Sequence, residues 1–343
     1  MQLESIPLTA NGKVDRSALP EADGRPAKEY IAPRTTIEKK LAAIWQEVLN
    51  NERIGMADNF FDMGGHSLKA VQVMTKIYKE LSVKLGLNDL FTHAVLADLA
   101  TLVTNSRREA YKPIERVEEQ DTYPVSHSQK RLWVLNQFEE VAAAYNIPIS
   151  YSFSGELDRD ALVRAFESLV QRHESLRTVF EMVDGQPRQR IRSLEQSGFT
   201  VEYKDLRNEP DARQAAQAEM QAGAVEPFDL TNGPLLRVKL LHIQDNEYRF
   251  LLNIHHIVSD GWSNNVLIQD VLELYEAYHS GREPNLSPLT IQYKDYAAWQ
   301  LQELTGENLA THQQYWLNKL SGELPVLQLA GDYPRPAVKT YNG

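Results

Sequence analysis

Cysteine is missing from all 343 residues of the sequence. Disulfides, cysteine-ligated metals and a cysteine nucleophile are therefore excluded, and thioester chemistry on this chain would need a sulfur brought in from outside. Long apolar runs are missing too: none approaches the about 20 residues of a membrane-spanning helix. The start, Met1-Gln2-Leu3-Glu4-Ser5, lacks the basic-then-apolar order of a secretory leader. A cytoplasmic location with no membrane partner is the resulting expectation. Positive charge is in deficit, with 36 Lys and Arg against 47 Asp and Glu and a formal charge of -11. That sign is wrong for neutralising a phosphate backbone, so no nucleic-acid partner is expected. There are no internal repeats and no low-complexity tract. The composition that remains, 42% hydrophobic and 24% charged, is that of a globular protein long enough for two or three domains.

Patterning divides the chain. Residues 1–20 carry a turn signal, Asn11-Gly12, followed by Lys13. Residues 21–33, mixed in proline and charge, read as a linker. Ile37, Leu41, Ile44, Trp45, Val48 and Leu49 then mark an amphipathic helix, with Thr35 or Thr36 to cap it. After a loop through Phe60 and Phe61, a second helix opens at Ser67 with Leu68, Val71, Met74 and Ile77 expected inward. A short helix around Leu90-Phe91 and a last one through Val95, Leu96, Leu99, Leu102 and Val103 complete a four-helix bundle over 34–105. Residues 106–121, dense in charge, suit a second linker. From 122 to 343 the pattern is mixed α/β. Helices are expected over Gln129–Phe138, Asp158–Arg172 and Ser263–Tyr278, and helical, aromatic structure over Thr290–Leu320. Strands Leu235–His242 and Tyr248–Ile254 pair across Gln244–Glu247.

Two strings carry chemistry. The first is Asp58-Asn59-Phe60-Phe61-Asp62-Met63-Gly64-Gly65-His66-Ser67-Leu68. A bare Gly-Gly-x-Ser fits an ordinary capped helix equally well. The whole string, however, resembles the attachment site of thiolation (peptidyl carrier) domains. The resemblance implies that Ser67 anchors a 4′-phosphopantetheine arm delivered by a phosphopantetheinyl transferase. Upstream, Asn11-Gly12-Lys13-Val14-Asp15-Arg16 resembles the closing motif of amino-acid adenylation domains, in which the lysine reaches the acyl-adenylate. Only that tail is present, so no adenylation activity is expected. An adenylation domain becomes an implied partner.

The second string is His255-His256-Ile257-Val258-Ser259-Asp260-Gly261, which places two histidines between a strand and a helix. Imidazole exchanges protons near neutrality. Adjacent strand residues point to opposite faces, which disfavours one metal ion shared by both histidines, and His-Glu-x-x-His spacing is absent. The full H-H-x-x-x-D-G resembles the core motif of nonribosomal-peptide-synthetase condensation domains, shared with chloramphenicol-acetyltransferase-like acyltransferases. Ser126-His127-Ser128-Gln129-Lys130-Arg131-Leu132-Trp133, Arg172-His173-Glu174-Ser175-Leu176-Arg177-Thr178-Val179-Phe180 and Tyr293-Lys294-Asp295-Tyr296-Ala297-Ala298-Trp299 resemble the first, second and fourth condensation motifs in the expected order. The resemblance implies that His256 is catalytic and that His255 packs. It also implies that Asp260 is structural and paired with Arg177, and that the Gly261 amide is available to an oxyanion. The implied substrates are aminoacyl and peptidyl thioesters on neighbouring carrier domains. Heterocyclising relatives replace the histidine pair with aspartates, unlike this chain. Epimerisation domains differ in the opening motif, and Tyr145-Asn146-Ile147-Pro148 leans towards an L-configured donor.

The expected fold class is multidomain: an all-α four-helix carrier bundle, then an α/β chloramphenicol-acetyltransferase-like lobe, half of a condensation domain. The resemblance implies that a second lobe normally supplies the opposite wall of the active site. The lobe here should thus expose apolar surface and condense poorly alone. Alternatives are a non-catalytic carrier and scaffold, an epimerisation-type relative, or an acyltransferase using free acyl-CoA.

Overall fold

A computed structural model describes residues 30–111, 113–138 and 143–325. The tail over 1–20, including Lys13, and most of the first expected linker lie outside the described residues. The chain divides into two compact units, Met1–Pro113 and Ile114–Gly343. Among the described residues no helix is long and apolar enough to cross a membrane.

The first unit contains α1 (Thr36–Leu49), α2 (Ser67–Leu81), α3 (Leu87–Thr92) and α4 (Leu96–Asn105). Thr35, not Thr36, caps α1. Its Oγ1 accepts the Glu38 N–H at 3.2 Å while the Glu38 carboxylate accepts the Thr35 N–H at 3.0 Å, a reciprocal capping box. The expected stripe on α1 is buried at Leu41, Ile44, Trp45 and Leu49 and packs against α2 and α4. The inward face of α2 needs correction. Ala70, Val73, Met74, Ile77 and Leu81 are buried, whereas Leu68 and Val71 are exposed. With 3.6 residues per turn, Leu68 lies about 180° around the helix from Ile77, so both cannot face one core.

The first unit also extends past 34–105 at both ends. Ile31 O accepts the Met56 N–H at 2.8 Å, Glu109 N–H donates to Ser82 O at 2.7 Å, and Tyr78 OH donates to Ala110 O at 3.1 Å. The other end of the second expected linker is held by the next unit. Arg116 Nη2 donates to Leu289 O at 3.0 Å and Val117 N–H to Asp295 Oδ1 at 2.9 Å. The two ends of 106–121 are thus each held, by backbone carbonyls and by the Asp295 carboxylate.

The second unit runs β1 (Tyr123–Pro124), α5 (His127–Leu135), β2 (Asn146–Ser154), α6 (Arg159–Arg172), β3 (Thr178–Val183), β4 (Gln186–Ile191), α7 (Leu194–Ser197), β5 (Val201–Asp205), α8 (Ala212–Val225), β6 (Leu236–Gln244), β7 (Glu247–His255), α9 (Gly261–His279), α10 (Tyr293–Glu303) and α11 (Gly306–Lys319). A 3-10 turn, Glu174–Arg177, joins α6 to β3. The strands form a small sheet in the order β1-β4-β3 and a larger one in the order β2-β7-β6-β5. Within the larger sheet, β2, β7 and β6 are antiparallel and β5 lies parallel to β6. The expected hairpin is β6–β7, with Gln244 opposite Glu247 and Asn246 at φ 60°.

Strand β7 is buried almost throughout because both its faces are covered. Phe166, Leu252, Leu267 and Val271 meet where α6 and α9 lie on one side. On the other side α8 approaches so closely that a Cβ on Gly223 would sit 2.7 Å from Leu251. Helix α5 starts earlier than expected because Ser126 and Gln129 form a capping box, and it stops before Phe138. The helical structure expected over Thr290–Leu320 is two helices separated at Leu304 and Thr305, and Gly306, the first residue of α11, takes φ 53°.

Candidate functional site

The glycines before Ser67 are required for two different reasons. Gly64 adopts φ 88°, the left-handed region that a side chain disfavours. Gly65 donates its N–H to Phe60 O at 2.9 Å, and a Cβ there would lie 2.4 Å from the Phe60 ring. Phe60 is itself buried against Trp45, with ring centroids 5.2 Å apart, and Phe61 is half-buried. The core of the first unit thus fixes the loop that presents Ser67. Gly65→Ala is expected to displace Phe60 and cost about 1–3 kcal/mol, read as a lower midpoint of thermal unfolding.

Ser67 is not the cap of its helix. His66, extended at φ -144°, is the N-cap and makes no side-chain capping bond. Ser67 is the first helical residue and is exposed, and its hydroxyl bonds no described residue. The ordinary capped-helix reading is thereby removed. What is left is a free hydroxyl beside the unpaired N–H groups and partial positive charge of a helix N-terminus, an environment that suits a phosphodiester. Leu68 and Val71 lie exposed next to it, and Phe91, also exposed, stacks on Phe61 at 5.0 Å.

The histidine pair ends β7. His255 is opposite Asn146 at the end of the β2–β7 ladder, and the His256 N–H donates to Tyr145 O at 2.8 Å just beyond it. The two rings face different surroundings. His255 is fully buried, its Nδ1 accepts the Ile257 N–H at 3.1 Å, and its ring meets Phe228 edge-on at 5.8 Å. Burial, reinforced by the neighbouring His256, pushes its pKa down to about 4. An unfolded histidine titrates near 6.5, so between pH 6.5 and 4 the unfolded chain binds the extra proton. Stability is expected to be complete above about pH 6.5 and to fall towards pH 4 by up to roughly 3 kcal/mol. Unfolding measured against pH checks this, and His255→Leu should flatten the slope.

His256 is exposed and lines a cleft of about 610 Å³ together with Arg131, His173, Trp262 and Tyr293. Tyr293 OH lies 3.0 Å from Ser126 Oγ, tying the first condensation-like string to the fourth. Burial, partly offset by this contact, raises the Tyr293 pKa.

The expected Asp260–Arg177 pair is not formed. Asp260 is the N-cap of α9, and its Oδ1 accepts the Ser263 N–H at 2.8 Å and the Ser263 hydroxyl at 2.7 Å. Burial works against its charge, but the Ser263 donors prevail and hold its pKa below the usual carboxylate value. Arg177 donates instead to Arg192 O at 2.6 Å and lies 3.7 Å from Glu174.

An ion pair of the expected kind exists further along α9. Asp270 Oδ2 accepts from Arg172 Nε at 2.9 Å and from His173 Nε2 at 2.7 Å. Helix α6 packs along α9, so its C-terminal end meets the middle of that helix, about 15 Å from its start. Asp260→Ala should therefore cost only about 1 kcal/mol, a lost cap. Asp270→Ala should cost about 3–5 kcal/mol because it strands a guanidinium. Urea unfolding of the two variants measures the difference. Gly261 starts the helix, is exposed, and would tolerate a Cβ with nothing within 4 Å.

The sequence reading missed His173 and Asp270. A signal for Asp270 existed: it interrupts the apolar stripe of α9 between Leu267 and Leu274, both buried.

The geometry defines a helical unit with an exposed serine at a helix start and an α/β unit with a histidine-bearing cleft. Residues 119–343 match the condensation-domain family and residues 39–103 match the phosphopantetheine attachment site. The chain belongs to the condensation-domain family, and its carrier-then-condensation order is that of nonribosomal peptide synthetases. Over 100% of its length it is 40% identical to gramicidin S synthase 2 of Brevibacillus brevis, of which it spans 7%. Over the same full length it is 41% identical to tyrocidine synthase 3 of Brevibacillus parabrevis, of which it spans 5%. Among solved structures, the X-domain from teicoplanin biosynthesis aligns with a TM-score of 0.57 and 28% identity over 66% of this chain and 49% of that one. The chain thus spans a small part of these curated relatives and about half of that solved domain.

Proposed function

We propose that this chain holds thioester-linked aminoacyl or peptidyl groups at Ser67 and contributes the His256 cleft to peptide-bond formation between carrier-bound donor and acceptor. The match over residues 39–103 assigns the first unit its cofactor, covalent 4′-phosphopantetheine, and the exposed, unbonded Ser67 hydroxyl fits its attachment. Once attached, the group supplies the thiol that a cysteine-free chain lacks. A phosphopantetheinyl transferase, an adenylation domain and neighbouring carriers are the implied partners. Leu68, Val71 and Phe91 give them an apolar contact beside the anchor. A cytoplasmic location, where coenzyme A is at hand, goes with this reading.

The single observation that carries the catalytic half is the division of labour between the two histidines: His255 is sealed in the core and His256 is open to the cleft. In the reaction the acceptor amine attacks the donor thioester carbonyl. The C–N bond forms, the C–S bond breaks, and the proton lost by the amine ends on the released thiol. His256 either receives that proton first or orients the amine, and the Tyr145 carbonyl and the Asp260 cap hold the turn that carries it.

The lobe presents unpaired apolar surface. Helix α11 buries none of its residues, and Tyr315, Trp316 and Leu317 are 59%, 57% and 59% exposed. Water exclusion and preorganised dipoles give such sites their strength. We infer that the 343-residue chain by itself condenses slowly, with this apolar surface left to water. Single-turnover amide formation by the isolated, loaded chain at the rate of a complete synthetase module would overturn this.

A further inference from the structure

The cleft contains a second imidazole whose chemistry is unused so far. His173 follows α6, and its main chain is fixed on both sides: its N–H donates to Leu169 O at 3.0 Å and its carbonyl accepts the Leu176 N–H at 3.0 Å. Its ring is gripped through one nitrogen. Nε2 lies 2.7 Å from Asp270 Oδ2, the same oxygen that accepts from Arg172. A carboxylate beside a guanidinium can only accept, so Nε2 carries the proton. Burial is the largest influence on His173 and lowers its pKa despite the opposing pull of Asp270. The ring is thus neutral at pH 7, and Nδ1 keeps its lone pair. Nδ1 bonds no described residue and is not among the buried unpaired polar atoms, while the residue lines the same cleft as His256. One nitrogen clamped by a buried carboxylate and the other left open is how proteins aim an imidazole at a ligand.

We propose that His173 contacts substrate: its Nδ1 accepts an N–H hydrogen bond from the aminoacyl group in the cleft, and Asp270 acts as the positioning residue that fixes its tautomer and direction. An ammonium or amide N–H has only a proton to offer, so an aimed acceptor is what it needs, and Arg131 on the same wall, a pure donor, cannot supply one. This rests on the cleft being the condensation site.

Two substitutions separate contact from scaffolding. His173→Gln keeps a donor where Nε2 was, so Asp270 stays bonded, and leaves nothing at Nδ1. His173→Asn places an amide oxygen near the Nδ1 position and gives up the clamp. The probe is leucyl-N-acetylcysteamine, an aminoacyl thioester with a free amine, titrated into the 343-residue chain with nitrogen-15 histidine resonances as readout. The wild-type Nδ1 resonance should move on binding. His173→Gln should bind about tenfold more weakly at an unchanged melting temperature, the loss of one hydrogen bond to a charged group. His173→Asn should melt lower yet bind within about threefold of wild type. Equal binding by wild type and His173→Gln, or weak binding by His173→Asn alone, overturns the proposal and leaves the cleft assignment standing. If wild type does not bind the probe at all, both fail, and transferase-dependent loading of Ser67 would still report on the carrier half.

Discussion

Incubated with coenzyme A and a phosphopantetheinyl transferase, the chain is expected to gain the mass of one 4′-phosphopantetheine, and Ser67→Ala to gain none. The effect is all or none because a single oxygen forms the bond. The Ser67 hydroxyl attacks the pyrophosphate of coenzyme A, an O–P bond forms, the phosphoanhydride breaks, and adenosine 3′,5′-bisphosphate leaves. The structure supplies three conditions for this. The hydroxyl is exposed, it bonds no described residue, and it starts a helix whose first N–H groups are unpaired. Alanine at the first helical position is well tolerated, so the variant should keep its helical circular dichroism, and the missing mass then belongs to the chemistry alone. A wild-type chain that stays unmodified with its fold intact would sink the carrier assignment. Gly65→Ala should retain the hydroxyl but load more slowly, since the loop that presents it would be displaced.

In a complete synthetase module containing this chain, His256→Ala is expected to slow amide formation about 10²–10⁴-fold, the usual range for a positioned acid–base group. Its melting temperature should hardly change, since the ring is exposed in the cleft. His255→Ala should do the reverse. Its ring is fully buried and packed on Phe228, so truncation should cost about 2–5 kcal/mol, and the loss of rate should follow the loss of folded protein. Paired rates and unfolding curves for the two variants decide the matter. A His256→Ala module that still turns over normally would move the chemistry elsewhere in the cleft, whereas one that fails to fold would make His256 structural.

Local patterns were legible in residue order. The α1 stripe from Leu41 to Leu49, the capping threonine beside Glu38, the β6–β7 hairpin and the strand–histidine–helix sequence all depend on contacts within a few residues, and periodicity records those. Both strings of chemical residues were readable in another way, through their resemblance to carrier and condensation motifs. Strands β2, β3, β4 and β5 went unread: β2 does alternate, with Ile147, Ile149, Tyr151 and Phe153 set between Pro148, Ser150 and Ser152, whereas β3, β4 and β5 are only five or six residues long. Residues 106–121 read as a linker from their charge, while the Arg116 guanidinium and the Glu109 main-chain N–H each find a backbone carbonyl.

The sequence alone carried the two kinds of domain, their order, and the candidate serine and histidine pair, since the motifs they resemble are residue identities at fixed short spacing. Tertiary structure decided which face of α2 is buried, that Ser67 is a free hydroxyl and not a cap, and that Asp270 rather than Asp260 receives the second-motif cation. The physical reason is the same in each case. Burial and ion pairing are settled by where separate helices and strands cross, and sequence spacing along one element carries no record of the element that packs against it.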